Sequence, residues 1–150
     1  MNPDLDAALV RDFPQLYADR NGDMRSTAMC WGFECGDGWE PLLRTLSEQL
    51  AYLALVQKQP VRASQVKEKF GTLRFYVDDS SEIMDACIDR AEHRSAYTCM
   101  VCGANGRVRG RVWVAALCAQ HAYEGKFPLN DYEAKCLSVT DHIPEVKTDA

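Results

Sequence analysis

Histidine is scarce in this chain: three residues in 150, against seven cysteines. Once a metal site claims one imidazole, little remains for a His-based catalytic dyad. Long apolar runs are missing too. None approaches the roughly 18 residues needed to cross a bilayer, which argues against a membrane partner. The opening MNPDLDAALVRDF carries acids where a secretory leader needs a basic segment and then an apolar one. A cytosolic, reducing setting is therefore expected. In it, seven cysteines read as metal ligands or small buried hydrophobes rather than disulfides. Basic residues are also in deficit, with 17 Lys/Arg against 22 Asp/Glu and a formal net charge of −5. A protein held to nucleic acid mainly through phosphates shows the opposite balance. The chain has no GxxxxGKS/T or GxGxxG phosphate loop. It also lacks the H-x-E and P-C-x-x-C elements of a zinc deaminase.

What is present fits one globular domain, with 47% hydrophobic and 26% charged residues. Residues 1–150 are read as a single domain in three parts. An α+β part spans 1–97, a zinc-binding module 98–126 and a polar C-terminal tail 127–150. The last residues, from Glu145 on, are expected to fray.

Leu5, Ala8, Leu9 and Phe13 fall at helical spacing, and Pro14 limits that helix. The stretch from Asp19 to Asp37 is rich in turn-forming residues and reads as loop. Trp39, Leu42, Leu43, Leu46, Leu50 and Leu53 form one apolar stripe, which predicts a helix of four to five turns from about Asp37 that Pro60 closes. The period then changes. Leu73, Phe75 and Val77 alternate with Arg74 and Tyr76, and Ser64 to Lys69 is extended as well. Gly71 between them can take the positive φ of a tight hairpin, and a third strand could join elsewhere. Ser80 or Ser81 caps a further helix running to about Arg94. The expected fold class is α+β: helices packed on a β-hairpin or small antiparallel sheet, with a C-terminal treble-clef-like module. A zinc ribbon is the competing form of that module.

The segment TCMVCGANGRVRGRVWVAALCAQHAYE places Cys99 and Cys102 in a C-x2-C pair. Fifteen residues later Cys118 and His121 follow in a C-x2-H pair. Two short-spaced pairs at this separation are a zinc signal. The first gap lets two thiolates face one ion from a tight knuckle. The second pair does the same from the first turn of a helix. Three sulfurs and one imidazole suit Zn2+ and fill all four positions, the mark of a structural rather than catalytic ion. Cys30 and Cys35, with Cys136 or His142, do not complete a second short-spaced set and read as plain thiols. Cys87 falls on an apolar helical stripe and reads as core. His93 reads as a surface residue at a helix end.

Asp37, Glu40, Asp78, Asp79 and Glu82 lie near expected helix starts and read as capping groups rather than catalytic acids. Arg107, Arg109 and Arg111 alternate along an expected strand and would share one face. Residues 90–126 hold six Lys/Arg against two Asp/Glu, a local +4. Such a face could contact nucleic acid, an acidic protein, or the chain's own acidic tail. Lys67, Lys69 and Arg74 on the first hairpin raise the same alternatives.

Three motifs in combination point to a family: Cys35-Gly-Asp-Gly-Trp39, the run Gln65 to Tyr76 (QVKEKFGTLRFY), and the Thr98 to His121 segment. The chain resembles small uncharacterised proteins encoded by tailed bacteriophages and prophages that carry CGxGW, KEKFGxLRFY and CxxCG…LCxxH elements. The resemblance spans about residues 13–125. It implies a bacterial cytoplasmic setting, an accessory role, the four metal ligands, and architectural positions at Trp39, Gly71 and Arg74. It carries no activity.

Three functions compete on the sequence. A non-enzymatic module that binds a host or phage protein accounts for the closed metal site and the shortage of catalytic groups. Nucleic-acid binding through Arg107, Arg109 and Arg111 is the alternative. A treble-clef nuclease is the least supported, because no His lies between Cys102 and Cys118 to act as general base.

Overall fold

The computed structural model describes residues 1–140. Helix α1 (Pro3–Asp12) starts at Asn2, whose side chain accepts from the Asp4 and Leu5 N–H groups, and stops just before Pro14. The stretch expected as loop holds two short 3-10 turns, Ala18–Asn21 and Met29–Trp31, and a two-residue strand β1 (Phe33–Glu34). A third 3-10 turn, Asp37–Trp39, leads into helix α2 (Glu40–Gln57), the long helix its leucine stripe predicts. Lys58 ends α2 in a left-handed conformation at φ 54°. Strands β2 (Arg62–Lys69) and β3 (Thr72–Asp78) form the expected antiparallel hairpin, with Val66 opposite Phe75 and Lys69 opposite Thr72. Helix α3 (Glu82–Ser95) follows, with Ser81 as its N-cap.

The third strand differs from an antiparallel edge. β1 pairs with β2 in parallel, Phe33 against Val66. Its chain returns to the sheet only after the whole length of α2, the long crossover that parallel pairing requires. Glu82 lies in the first turn of α3 as expected, but Asp37 and Glu40 act differently from simple caps. Asp37 accepts from the backbone and side-chain nitrogens of Asn2 at 2.6 and 3.1 Å, tying the two helix starts together. Glu40 accepts from Arg44, one turn along α2, at 2.7 Å.

The core lies between the sheet's inner face and α1, α2 and α3. Leu43, Leu46 and Leu50 of α2, Val66, Leu73 and Phe75 of the sheet, and Met84 and Ile88 of α3 are all buried in it. Tyr17 packs edge-on against Phe33 and shares a 2.6 Å hydrogen bond with Ser47, so its buried hydroxyl has a partner. Burial pushes its phenol well above the ordinary range.

After α3 the chain enters the metal-binding region. Strands β4 (Arg107–Arg109) and β5 (Ala115–Leu117) form a second, separate hairpin. Helix α4 (Ala119–Glu124) follows at once. The region expected as polar tail contains a further helix, α5 (Asp131–Thr140). No helix among the described residues is long and apolar enough to cross a membrane.

Candidate metal centre

Cys99 lies just past the end of α3, in a turn that closes through Gly103 N–H donating to the Cys99 carbonyl at 2.8 Å. Gly103 takes φ +77°, which an L side chain rarely adopts. This knuckle carries Cys99 and Cys102. Cys118 is the N-cap of α4, and His121 lies in that helix's first turn. Knuckle, hairpin and helix thus follow in the order expected of a treble clef. A ribbon would place the second pair on a turn.

The four ligand atoms of Cys99, Cys102, Cys118 and His121 all lie within 4.8 Å of one another and could hold a metal ion. The Cys102 and Cys118 sulfurs are 3.9 Å apart. His121 Nδ1 is 3.5 Å from the Cys99 sulfur and 3.2 Å from that of Cys118. A tetrahedral ion bonded at about 2.3 Å to sulfur and 2.0–2.1 Å to nitrogen has edges of about 3.8 Å between sulfurs and about 3.6 Å between sulfur and nitrogen. The Cys102–Cys118 and Cys99–Nδ1 spacings agree with those edges to about 0.1 Å, and the Cys118–Nδ1 spacing is about 0.4 Å shorter. Nδ1 is the ring nitrogen turned to the sulfurs, and Nε2 faces the Glu124 carboxylate at 4.0 Å. That is where a ligating histidine commonly finds an outer carboxylate.

The thiols are unlike one another. Burial opposes ionisation of Cys99, but the N–H groups of Cys118, Cys102 and Val101 and the Cys102 thiol outweigh it and bring Cys99 down to about 7. At Cys102 the Ala104 N–H favours the thiolate, yet burial and the neighbouring Cys99 and Cys118 sulfurs hold it above its usual range. Cys99 is buried and Cys102 exposed.

The centre is seated on the α+β part by the motif around Trp39. The Trp39 indole is fully buried and donates to the Thr98 carbonyl at 2.8 Å. Gly38 N–H donates to the Met100 carbonyl at 2.9 Å. A Cβ on Gly38 would run into the Cys99 carbonyl and the Gly103 and Cys102 amides, and one on Gly36 into the Met100 carbonyl. Both glycines are needed because backbone meets backbone there. Gly71, at φ +78°, instead makes room for side chains: a Cβ there would come within 2.9 Å of Val108 Cγ1 and 3.2 Å of Val114 Cγ1. Trp39 and Gly71 thus act where the sequence expects architectural residues. Arg74 is held by Thr72 at 2.8 Å and faces Glu92 of α3 at 3.7 Å.

The three arginines have separate fates. Arg109 is 5% exposed. Its guanidinium donates to the carbonyls of Leu117 and Pro128 and to both Glu133 oxygens. Arg107 reaches the same carboxylate at 2.8 Å. Hydrogen bonding from Arg109 holds the Glu133 carboxyl down at about 2, with further help from the Asn130 N–H and the two guanidinium charges. Arg111 lies past the end of β4 and is exposed. One face does not gather all three: Arg107 and Arg109 meet the acidic tail, and Arg111 meets solvent.

Sequence reasoning missed Glu133 and its helix. The available signal was Asn130-Asp-Tyr-Glu133, a capping box. Asn130 Oδ1 accepts from Glu133 N–H at 2.8 Å, and Glu133 accepts from Asn130 N–H at 2.9 Å.

Among the described residues no second set of metal-ligating side chains gathers. Cys30 donates to the Thr27 carbonyl. Cys35 is buried and pushed up to about 12 by desolvation. Cys87 packs against the core, Cys136 is exposed on α5, and His93 is exposed near the end of α3. His142 lies outside the described residues. An open groove of about 660 Å³ runs between the end of α1, α2 and the start of β2. Phe13, Pro14, Leu16, Ala51, Ala54 and Val61 line it, and no metal ligand does. Comparison with protein families, curated proteins and solved structures finds no match to this chain.

Proposed function

We propose that this protein is a non-enzymatic binding module, held in shape by a structural zinc ion, that acts by contacting another protein. The observation carrying this reading is the closed donor set. Three thiols and one imidazole supply four ligand atoms within 4.8 Å of one another, so an ion bound by all four has no open position for water or substrate. Zinc is favoured among metals by the mixture of soft sulfur and borderline nitrogen. Bound there, it supplies cohesion rather than Lewis-acid chemistry. This chain's own residues supply the rest: Cys99 and Cys102 fix the knuckle, Cys118 and His121 fix α4, and Gly38 with Trp39 hold both against the sheet and helices.

Nucleic-acid binding through Arg107, Arg109 and Arg111 is weakened by Glu133, whose single carboxylate engages two of them and offsets one of their charges. The motif resemblance supports a bacterial cytoplasmic setting and an accessory role for a phage or prophage, with a host or phage protein as partner. Two measurements test the reading. Elemental analysis of protein purified without added metal is expected to give one zinc per chain. Cross-linking followed by affinity purification from infected or lysogenic cells is expected to return a protein in direct contact. Metal-free folded protein, or a hydrolytic activity lost with Cys102→Ala under conditions where the fold survives, would overturn it.

A further inference from the structure

We propose that the tips of the two hairpins, residues 69–71 and 110–114, form one docking surface for an acidic protein segment that presents apolar side chains. This rests on the binding-module reading and adds where the partner lies and what it is made of. The tips converge at Gly71, whose missing Cβ leaves room for Val108 and Val114. Phe70 and Trp113 are each one residue from that contact, so their backbones are within a few ångströms of it.

The apolar groups at this meeting point face water. Val112 is 97% exposed, Trp113 82% and Phe70 72%. One such residue alone would mean nothing. Here they come from two hairpins that the fold holds together.

Phe70 adds an independent observation. It takes φ +54° and is followed by Gly71 at φ +78°, so the two are the central residues of the β2–β3 turn. Asn or Gly is the residue that such a turn prefers, and a bulky side chain at positive φ is an outlier. The ring is largely in solvent, with the Lys69 ammonium 5.5 Å from its centroid, and Phe70 is not part of either buried core cluster. Backbone strain kept at an exposed aromatic points to a use outside the fold.

Charge selects the partner. Lys69 and Arg111 flank the apolar groups, are exposed, and make no salt bridge among the described residues. The nearby Glu68 carboxylate is turned onto the Gly71 N–H at 2.5 Å. Two cations with no carboxylate partner among the described residues, set around an apolar tip, complement an acidic segment locally, although the chain as a whole is acidic. Protein fits better than single-stranded nucleic acid. Phe70 and Trp113 have stacking faces, but a single strand also needs a positively charged groove along its backbone. The tip offers only Lys69 and Arg111, while Arg107 and Arg109 share the Glu133 carboxylate.

The test uses the full zinc-loaded chain in a Trp31→Phe background. Trp39 is buried, so the exposed indole reporting by fluorescence is then Trp113. The probes are short synthetic peptides alternating Asp or Glu with Leu, Phe or Trp, the same peptides with Lys at every acidic position, and oligo(dT). The acidic peptides are expected to shift Trp113 emission to the blue. Trp113→Ala, followed with labelled peptide, and Phe70→Asn are each expected to weaken their binding about tenfold. Phe70→Asn is also expected to leave the melting temperature equal or higher, because Asn suits the turn. A merely structural Phe70 would lower it. Acidic-peptide binding undiminished in both variants overturns the docking surface and leaves a protein-binding module standing. Equal binding of acidic and Lys-bearing peptides, or no peptide binding, also overturns it. Retention of oligo(dT) with no peptide binding overturns the protein-binding reading as well.

Discussion

Among the described residues, eighteen buried side chains of the α+β part run as one core, whereas the cluster around the candidate metal centre has three, Cys99, Leu117 and Ala122. The first region is held by apolar burial, which spreads its stabilisation over many side chains, each worth about 1.5–3 kcal/mol when a Val, Leu, Ile, Phe or Met is fully buried. The second has too little to bury. Its supports are, at one end, the Cys/His cluster that could hold a metal ion and, at the other, a seat where Gly38 and Gly71 let backbone lie against its neighbours. Ala116 is its one residue in the larger core. The lesson is that the metal region is a docked unit rather than a free finger. The two supports, ion and seat, can be removed separately.

Removing the ion should have the largest effect. Structural zinc in finger peptides is worth on the order of 10–16 kcal/mol at neutral pH. Cys102→Ala, or chelation, is expected to abolish amide protection over residues 98–126 while the helices and sheet of residues 1–97 keep theirs, read by hydrogen exchange. Loss of protection throughout would show that the two regions fold as one cooperative unit.

Removing the seat should cost less and spare the metal. Gly38→Ala puts a methyl group into the Cys99 carbonyl and the Cys102 and Gly103 amides. Overpacking of this kind typically costs about 1–3 kcal/mol. The expected outcome is a lower denaturation midpoint with one zinc still bound per chain. Loss of zinc with the seat would mean that docking is a condition of metal binding.

The contact between α5 and the metal hairpin comes next. Glu133→Gln leaves the buried Arg109 without its carboxylate, at a cost of about 1–3 kcal/mol. The Glu133 carboxyl is lowered from an ordinary 4.5 to about 2 in the folded chain. Its contribution is therefore complete above pH 4.5 and is lost as pH falls toward 2. The stability difference between the parent chain and Glu133→Gln, from denaturant titrations at several pH values, should stay constant above that range and shrink below it. A difference that grows in acid would contradict the pairing. The smallest effect belongs to Trp113→Ala. This side chain is so exposed that stability is expected to change by less than about 0.5 kcal/mol.

Periodicity and spacing made much of this legible. The leucine stripe of α2, the alternation of β3, the Ser81 cap and the four ligand positions are all local patterns, and each became the expected element. What was hidden depends on partners far away in the chain. β1 is two residues long and is created by its neighbour Val66, so it has no period to detect. Gly36 read as loop and Gly38 fell at the start of the expected helix, yet both are glycine because the backbone of residues 99–103 lies against them. Contact of Arg109 with the chain's own acidic tail was one of several readings of the arginine face, and Glu133 could not be singled out because it lies 24 residues on, in a stretch whose capping box was overlooked. Asp37 read as a cap because nothing local shows that Asn2 reaches it.

X-ray absorption at the zinc edge of the purified protein tests the central claim most directly. The account expects three sulfurs at about 2.3 Å and one nitrogen at 2.0–2.1 Å. An oxygen from an exchangeable water in place of one sulfur or of the nitrogen would contradict it.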